Sequence, residues 1–326
     1  MRIESDKVCV LSGTRKNITI GSPICLKIEN KDYKIDVLPD VTRPRPGHAD
    51  LPGALKYGQG DVRNILERAS ARETAARVAA GALAKILLTR FDIKVLGYVK
   101  DIGGINSKKS FKNLDEIVRN RNKSKVYCLD KLAEAKMIER IKKAKKEGDS
   151  LGGIIEIVAF GVPPGLGGHT QWDLRLDGIL AGALMSIQAI KGVEIGLGFG
   201  FSRKLGSQVH DEIFYCEDKG VFGRETNNAG GIEGGITNGE IVVARAAMKP
   251  IPTLMKPLRS VDIITKKPES ASTERSDVCA VPAVSVVGEA AMAFEIARCF
   301  IEKFGGDSIN EVARNYEGYL EQIHEI

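Results

Sequence analysis

Glycine is the feature that most limits what this chain can build. Of 326 residues, 35 are glycine and only 12 proline, against an average of roughly 7% glycine. That balance points to close approaches of backbone to backbone or to a ligand rather than to a low-complexity tail. The length allows one large domain or two ordinary ones, enough to bury a core without disulfide or metal staples. With 43% hydrophobic and 28% charged residues, intrinsic disorder and a fibrous repeat are excluded. The net charge of +6 chooses no partner by itself; where the arginines cluster matters more.

The opening MRIESDKVCVLSG has no apolar run of signal-peptide length, and no stretch elsewhere reaches the roughly 18 apolar residues of a membrane span. The expectation is a soluble, non-exported, cytoplasmic chain. Cys9, Cys25, Cys128, Cys216, Cys279 and Cys299 form no Cys-x-x-Cys pair, and His48, His169, His210 and His324 keep no ligand spacing to them. Reduced core thiols and no metal site follow.

Val8 to Leu11, Ile24 to Glu29, Ile93 to Val99, Ile154 to Phe160, Val193 to Leu197 and Ile241 to Met248 read as strands. Lys131 to Glu147 and Leu174 to Ile190 read as helices. Val281 to Phe304 is expected to begin extended and then turn helical, burying Ala290, Ala293, Ile296, Ala297, Phe300 and Ile301. From Lys31 to Gly60, Pro39, Pro44, Pro46 and Pro52 forbid continuous helix or central strand. From Asp61 to Leu88, Ile65, Ala69, Ala76, Ala79, Leu83 and Ile86 recur at three- and four-residue steps, the stripe of one long helix interrupted at Arg72. Mixed layering follows, helices against at least one large sheet.

Several chemistries fail on context. Gly148-Asp149-Ser150-Leu151-Gly152 fits G-x-S-x-G and opens a GDSL esterase signature, but an elbow needs a strand running in and a helix leaving. Here the order is reversed, and Ser150 reads as a turn residue. No Walker motif occurs, and Gly196-Leu197-Gly198-Phe199-Gly200 lacks the dinucleotide spacing. Aromatics are 6%, and the arginines lie beside Ala and Gly, which argues against nucleic acid.

Arg72 is the exception on the apolar stripe, with Arg68 one turn earlier. An arginine aimed at a core must meet an anion, because an unpaired buried charge costs several kcal/mol. That anion is either a ligand or a carboxylate of the chain, Glu67, Glu73 or a distant one. Just upstream, VTRPRPGHADL sets Arg43, Arg45 and His48 between Pro44 and Pro46. A stiff loop bearing two arginines and an imidazole is suited to hold an anion and move a proton.

RPGHADL, ERASARETAARVAAGAL, GDSLGG, SIQAIKGVEIG, NNAGGIEGGI, KPIPT and ERSDVCAVPA follow one another in this chain. In that order they resemble chorismate synthases, and the likeness runs from about Met1 to the helix around Phe304. It implies an α+β chain with a β-α-β-α sandwich core, one domain over residues 1–326, assembled as a homotetramer. It also implies the conversion of 5-enolpyruvylshikimate 3-phosphate into chorismate and phosphate by a 1,4-anti elimination that needs reduced FMN (FMNH2) without consuming it.

By that resemblance, Arg45, Arg72 and Arg275 bind a substrate bearing a phosphate and two carboxylates, which planar guanidinium forks suit. Flavin contacts fall on Arg68, Ala69 and Ser70, on Gln188 and Ala189, on Gly234, on Lys249, Pro250, Ile251, Pro252 and Thr253, and on Arg275. His48 is the expected catalytic acid/base, and Asp277 the aspartate that helps carry off the substrate proton. Whether the chain reduces its flavin with NAD(P)H or relies on an external reductant stays open. The family's early Gly-Glu-Ser-His-Gly motif and the arginines after it have no match here, since Met1 aligns just beyond them. The chain therefore reads as N-terminally truncated relative to the family, and the alternative is a non-catalytic remnant that still binds flavin or assembles.

Overall fold

Along Val242–Met248 every second residue is buried, while Val243, Arg245 and Ala247 turn the other way. That period marks a strand with one covered face. It belongs to a five-stranded antiparallel sheet in the order Ile105–Asn106, Lys94–Ile102, Gly153–Phe160, Val242–Met248, Ile190–Ile195. The structure, a computed structural model, describes residues 4–33, 35–109, 113–217, 220–274 and 276–326. Its α-helices are α1 (Asp50–Tyr57), α2 (Arg63–Arg68), α3 (Thr74–Thr89), α4 (Leu114–Lys123), α5 (Lys131–Glu147), α6 (Leu176–Met185), α7 (Val281–Phe304) and α8 (Ile309–His324). Among the described residues none is long and apolar enough to cross a membrane. The α+β class expected from the sequence is what the chain adopts.

Helix α7 packs against the Lys94–Ile102 and Gly153–Phe160 strands and also against α3. Both approaches depend on missing side chains. A Cβ on Gly97 would lie 2.1 Å from the Ser285 carbonyl oxygen, and one on Gly81 would lie 2.5 Å from the Ala290 Cβ. Beside this crossing Glu289, buried on α7, accepts hydrogen bonds from the Gly97 N–H at 2.9 Å, from Arg121 Nη2 at 3.0 Å and from Lys85. Arg121 Nε donates to the Gly97 carbonyl at 2.7 Å. The open backbone edge at Gly97 is thus closed by side chains, and the buried carboxylate meets two cations. Phe91, Phe300, Phe304 and Tyr316 join α7 to α8 with ring centroids 4.5 to 5.5 Å apart.

Helix α5 matches its expected bounds, and the sheet strands match within a few residues. Five readings need correction: Cys9 and Cys25, expected as core thiols, are exposed, and the other four concern helices. The long helix over 61–88 is broken: Ser70 is extended, at ψ 134°, and its hydroxyl accepts the Arg72 N–H, starting a 3-10 turn at Ala71–Glu73 ahead of α3. Arg72 therefore sits on no buried stripe. The buried face of α3 is Ala79, Gly81, Ala84 and Leu88, whereas Ala76, Leu83 and Ile86 are exposed. Close approach to α7 selects the smallest residues, not the largest. Helix α7 is helical from Val281, with Pro282 in its first turn where the missing N–H costs nothing; Ile301 lies at its rim, 36% exposed. The proline-rich 31–60 segment contains α1, again with its proline, Pro52, in the first turn. The apolar stretch from Leu174 holds only the ten-residue α6 before the strand at Ile190.

Gly97→Ala is expected to lower the unfolding free energy by about 1–3 kcal/mol or more, since the obstructing atom is backbone. Gly178→Ala on α6 meets open space and is expected to be neutral or to stabilise by up to about 1 kcal/mol. Urea denaturation of both variants checks the opposite signs.

Candidate active site

Two prolines and a glycine shape the loop that enters α1. Pro44 and Pro46 fix the backbone on either side of Arg45, and Gly47 turns the chain at φ +79°. The loop is tied down from outside: Ser272 donates through its N–H and hydroxyl to the Arg43 carbonyl at 3.1 and 2.7 Å, and Ser260 Oγ donates to the Pro44 carbonyl at 2.6 Å. Lys249 donates to the Gly47 carbonyl.

Inside it lies a charge cluster. Arg45 is buried and holds Asp50 with two prongs, Nε to Oδ2 at 2.8 Å and Nη2 to Oδ1 at 3.0 Å, while Nη1 donates to the Thr253 hydroxyl at 2.7 Å. The His48 Nδ1 stands 2.5 Å from Asp50 Oδ1, with the ring 18% exposed. Burial pushes the Asp50 carboxyl up, but the bonds from His48 and Arg45 outweigh it and hold the group well below the usual carboxylate range.

The structure gathers most of the expected site residues around this cluster. The 249–253 segment lies against the loop through Thr253 and Lys249, and the Lys249 N–H donates to the Ala189 carbonyl at 2.9 Å. Ala189 has φ +67°. Beside it Gln188 Nε2 donates to Glu73 at 2.5 Å, which brings in the Arg68–Ser70 segment, and Gln188 Oε1 is buried with no partner. Burial and the neighbouring Lys191 push the Lys249 ammonium below the ordinary lysine value. Ser150 is a turn residue, as expected, its hydroxyl donating to the Ile251 carbonyl at 2.6 Å. The next residue, Leu151, takes the Val278 carbonyl at 2.8 Å, so exposed Asp277 adjoins the same neighbourhood.

Other expectations are placed differently. Arg72 is held by Asp6 at 2.6 Å, Glu4 at 3.2 Å and the Glu29 carbonyl at 3.0 Å, so the distant-carboxylate alternative is the contact formed. Arg68 is exposed. Gly234, exposed at φ +60°, tops the Ile232–Thr237 hairpin, which no hydrogen bond among the described residues joins to these loops. Arg275 lies outside the described residues. Asp50 and Lys191 went unread, although an acidic residue two places after a loop histidine was a signal for the first.

A family model for chorismate synthase matches residues 1–301. A chorismate synthase of Desulforudis audaxviator is 56% identical over 335 residues, spanning 99% of this chain and 86% of its own length. One of Pelobacter propionicus is 55% identical over 341 residues, spanning 99% and 87%. A solved structure titled as the crystal structure of chorismate synthase superposes with a TM-score of 0.80 at 43% identity, covering 98% of this chain and 85% of the other.

Because the Asp50 pKa is depressed on folding, the unfolded chain takes up that proton first, and the contribution to stability present above about pH 4 fades as the pH falls. Asp50→Asn is therefore expected to destabilise strongly at pH 6 and less at pH 3.5, measured by urea unfolding. A deficit independent of pH would contradict the assignment.

Proposed function

The chain belongs to the chorismate synthase family, and from that premise we propose that it eliminates phosphate from 5-enolpyruvylshikimate 3-phosphate to give chorismate, with reduced FMN bound and not consumed. The observation that carries the reading is the joining of the RPGHAD loop to the 249–253 segment through Arg45, Thr253 and Lys249. The non-catalytic remnant has no support among the relatives matched over 99% of the chain, which are synthases.

The residues suit the cofactor. Gln188 Oε1 is a buried acceptor lacking a donor, and a flavin ring offers an N–H. Lys249 and Lys191 supply positive charge for a phosphate, and the Gly234 backbone is unobstructed. Gln188, Ala189, Lys249–Thr253, Gly234 and the Arg68–Ser70 segment would hold it. When bound, reduced flavin supplies an electron-rich ring beside the substrate.

The chain does the rest by charge and proton placement. The departing phosphate and the two carboxylates require cations, and Lys249, Lys191 and Arg68 have charge to spare. The forks of Arg45 and Arg72 are already engaged by carboxylates of the chain, so Arg45 shapes the site rather than grips the substrate, and Arg72 ties down the Glu4–Asp6 segment. His48 moves a proton at the departing phosphate oxygen and neighbouring acceptors, and Asp277 takes part in removing the proton lost from the substrate carbon. Loss of that proton with the carbon–oxygen electron pair leaving on phosphate creates the new double bond and closes the balance. Assembly as a homotetramer belongs to the same proposal.

Chorismate formation under anaerobic conditions with reduced FMN is the test. His48→Ala and Asp277→Ala should each lower turnover at least about 10-fold while reduced-FMN binding changes little. Turnover that survives both, or that falls only in step with flavin affinity, would remove the acid/base roles.

A further inference from the structure

Asp50 is fully buried, and its carboxylate has four donors around it: the Arg45 backbone N–H at 3.0 Å, Arg45 Nε at 2.8 Å, Arg45 Nη2 at 3.0 Å and the His48 ring nitrogen at 2.5 Å. Three of these come from one arginine and would serve a purely structural ion pair. The fourth has no structural need, because the His48 ring is partly open to solvent and water could satisfy it. The same ring nitrogen also lies 3.1 Å from Arg45 Nη2, but that group already donates to Asp50 Oδ1; at the shorter 2.5 Å contact an ionised carboxylate can only accept a hydrogen bond, so the nitrogen facing it must carry the proton. In a neutral imidazole that leaves one acceptor, Nε2.

We propose that Asp50 is a positioning residue for His48: its carboxylate, locked by the Arg45 fork, accepts the Nδ1–H and leaves Nε2 as the nitrogen that exchanges protons with the reactants. The proposal rests on His48 being the proton carrier. Arg45 is fixed in turn by the Thr253 hydroxyl at 2.7 Å, so the orientation of the ring depends on the segment expected to hold the flavin. The arrangement explains why an arginine beside an anion-binding site spends its fork on the chain's own carboxylate. Asp50 is also the first residue of α1, where the partial positive charge of the helix start favours its ionised form. Within the loop, Pro44, Pro46 and the Gly47 turn hold the His48 and Asp50 backbones in register, so the two-residue spacing in His-Ala-Asp closes the bond without reaching.

The tautomer can be read directly. In ring ¹⁵N spectra of the labelled full chain at alkaline pH, with the His48 signals assigned through His48→Gln, the proton is expected on Nδ1. In Asp50→Asn the Arg45 fork should keep the amide oxygen and turn the amide nitrogen to the ring, forcing Nδ1 to accept and moving the proton to Nε2. Turnover in chorismate formation should then fall at least about 100-fold, with the substrate KM changed less than about threefold. A proton on Nε2 in the unaltered chain overturns the proposal. So does an Asp50→Asn chain that inverts the tautomer at full turnover, or one that loses turnover with the tautomer unchanged. If Asp50→Asn does not fold, the spectrum of the unaltered chain decides alone. Full turnover in His48→Gln would defeat the proton-carrier role of His48, whereas the spectra would still judge whether Asp50 sets its tautomer.

Discussion

The crossing of α7 with the sheet on one side and α3 on the other is the constraint on which the rest depends. Helix α7 carries the largest share of buried residues of any helix, and it reaches both neighbours only where Gly97 and Gly81 leave room. Once it is seated, Glu289 enters the same gap and closes the edge of the Lys94–Ile102 strand with Arg121 and Lys85. Dispersion contacts at such short range are individually small and collectively large, and the ion cluster keeps the buried Glu289 carboxylate satisfied. The Gly153–Phe160 strand is seated by this packing, and the Val242–Met248 and Ile190–Ile195 strands, which lead into the loops of the candidate site, take their register from it by antiparallel pairing.

Much of this was legible in the sequence. Short apolar runs located the sheet strands, and the helix read over Lys131 to Glu147 is the one that Asp130 and Gly148 cap in α5. The excess of glycine signalled close backbone approach, which is what Gly81 and Gly97 deliver. What escaped was the choice among apolar faces on α3, because hydrophobic periodicity assumes that large residues point inward. Where two helices are pressed together, the buried side is the side with the least on it, and Leu83 and Ile86 are left outside. Proline misled in the same manner: Pro52 counts among the residues that forbid continuous helix, yet it sits in the first turn of α1, as Pro282 does in α7, where a proline is compatible with helix.

The site was legible as a set of loops but not as a circuit of charges. Spacing drew attention to Arg45, His48 and Arg72 as cations waiting for an anion. It could not show that Asp50 already answers the first two and Glu4 and Asp6 the third, because the carboxylate partners of Arg72 lie more than sixty residues away and no local rule pairs them. The same long reach hid Lys191, whose role emerges only when the Ile190–Ile195 and Val242–Met248 strands set it near Lys249.

The site draws on residues 45–50, 150, 188–189, 249–253 and 277, so its parts are strung across most of the chain. No partly folded form can own it. A polyanion or flavin that binds there recognises only the finished molecule, and its binding energy is added whole to the stability of that state by mass action. Any ligand held there would therefore lower the population of open, protease-sensitive forms in proportion to its concentration over its Kd.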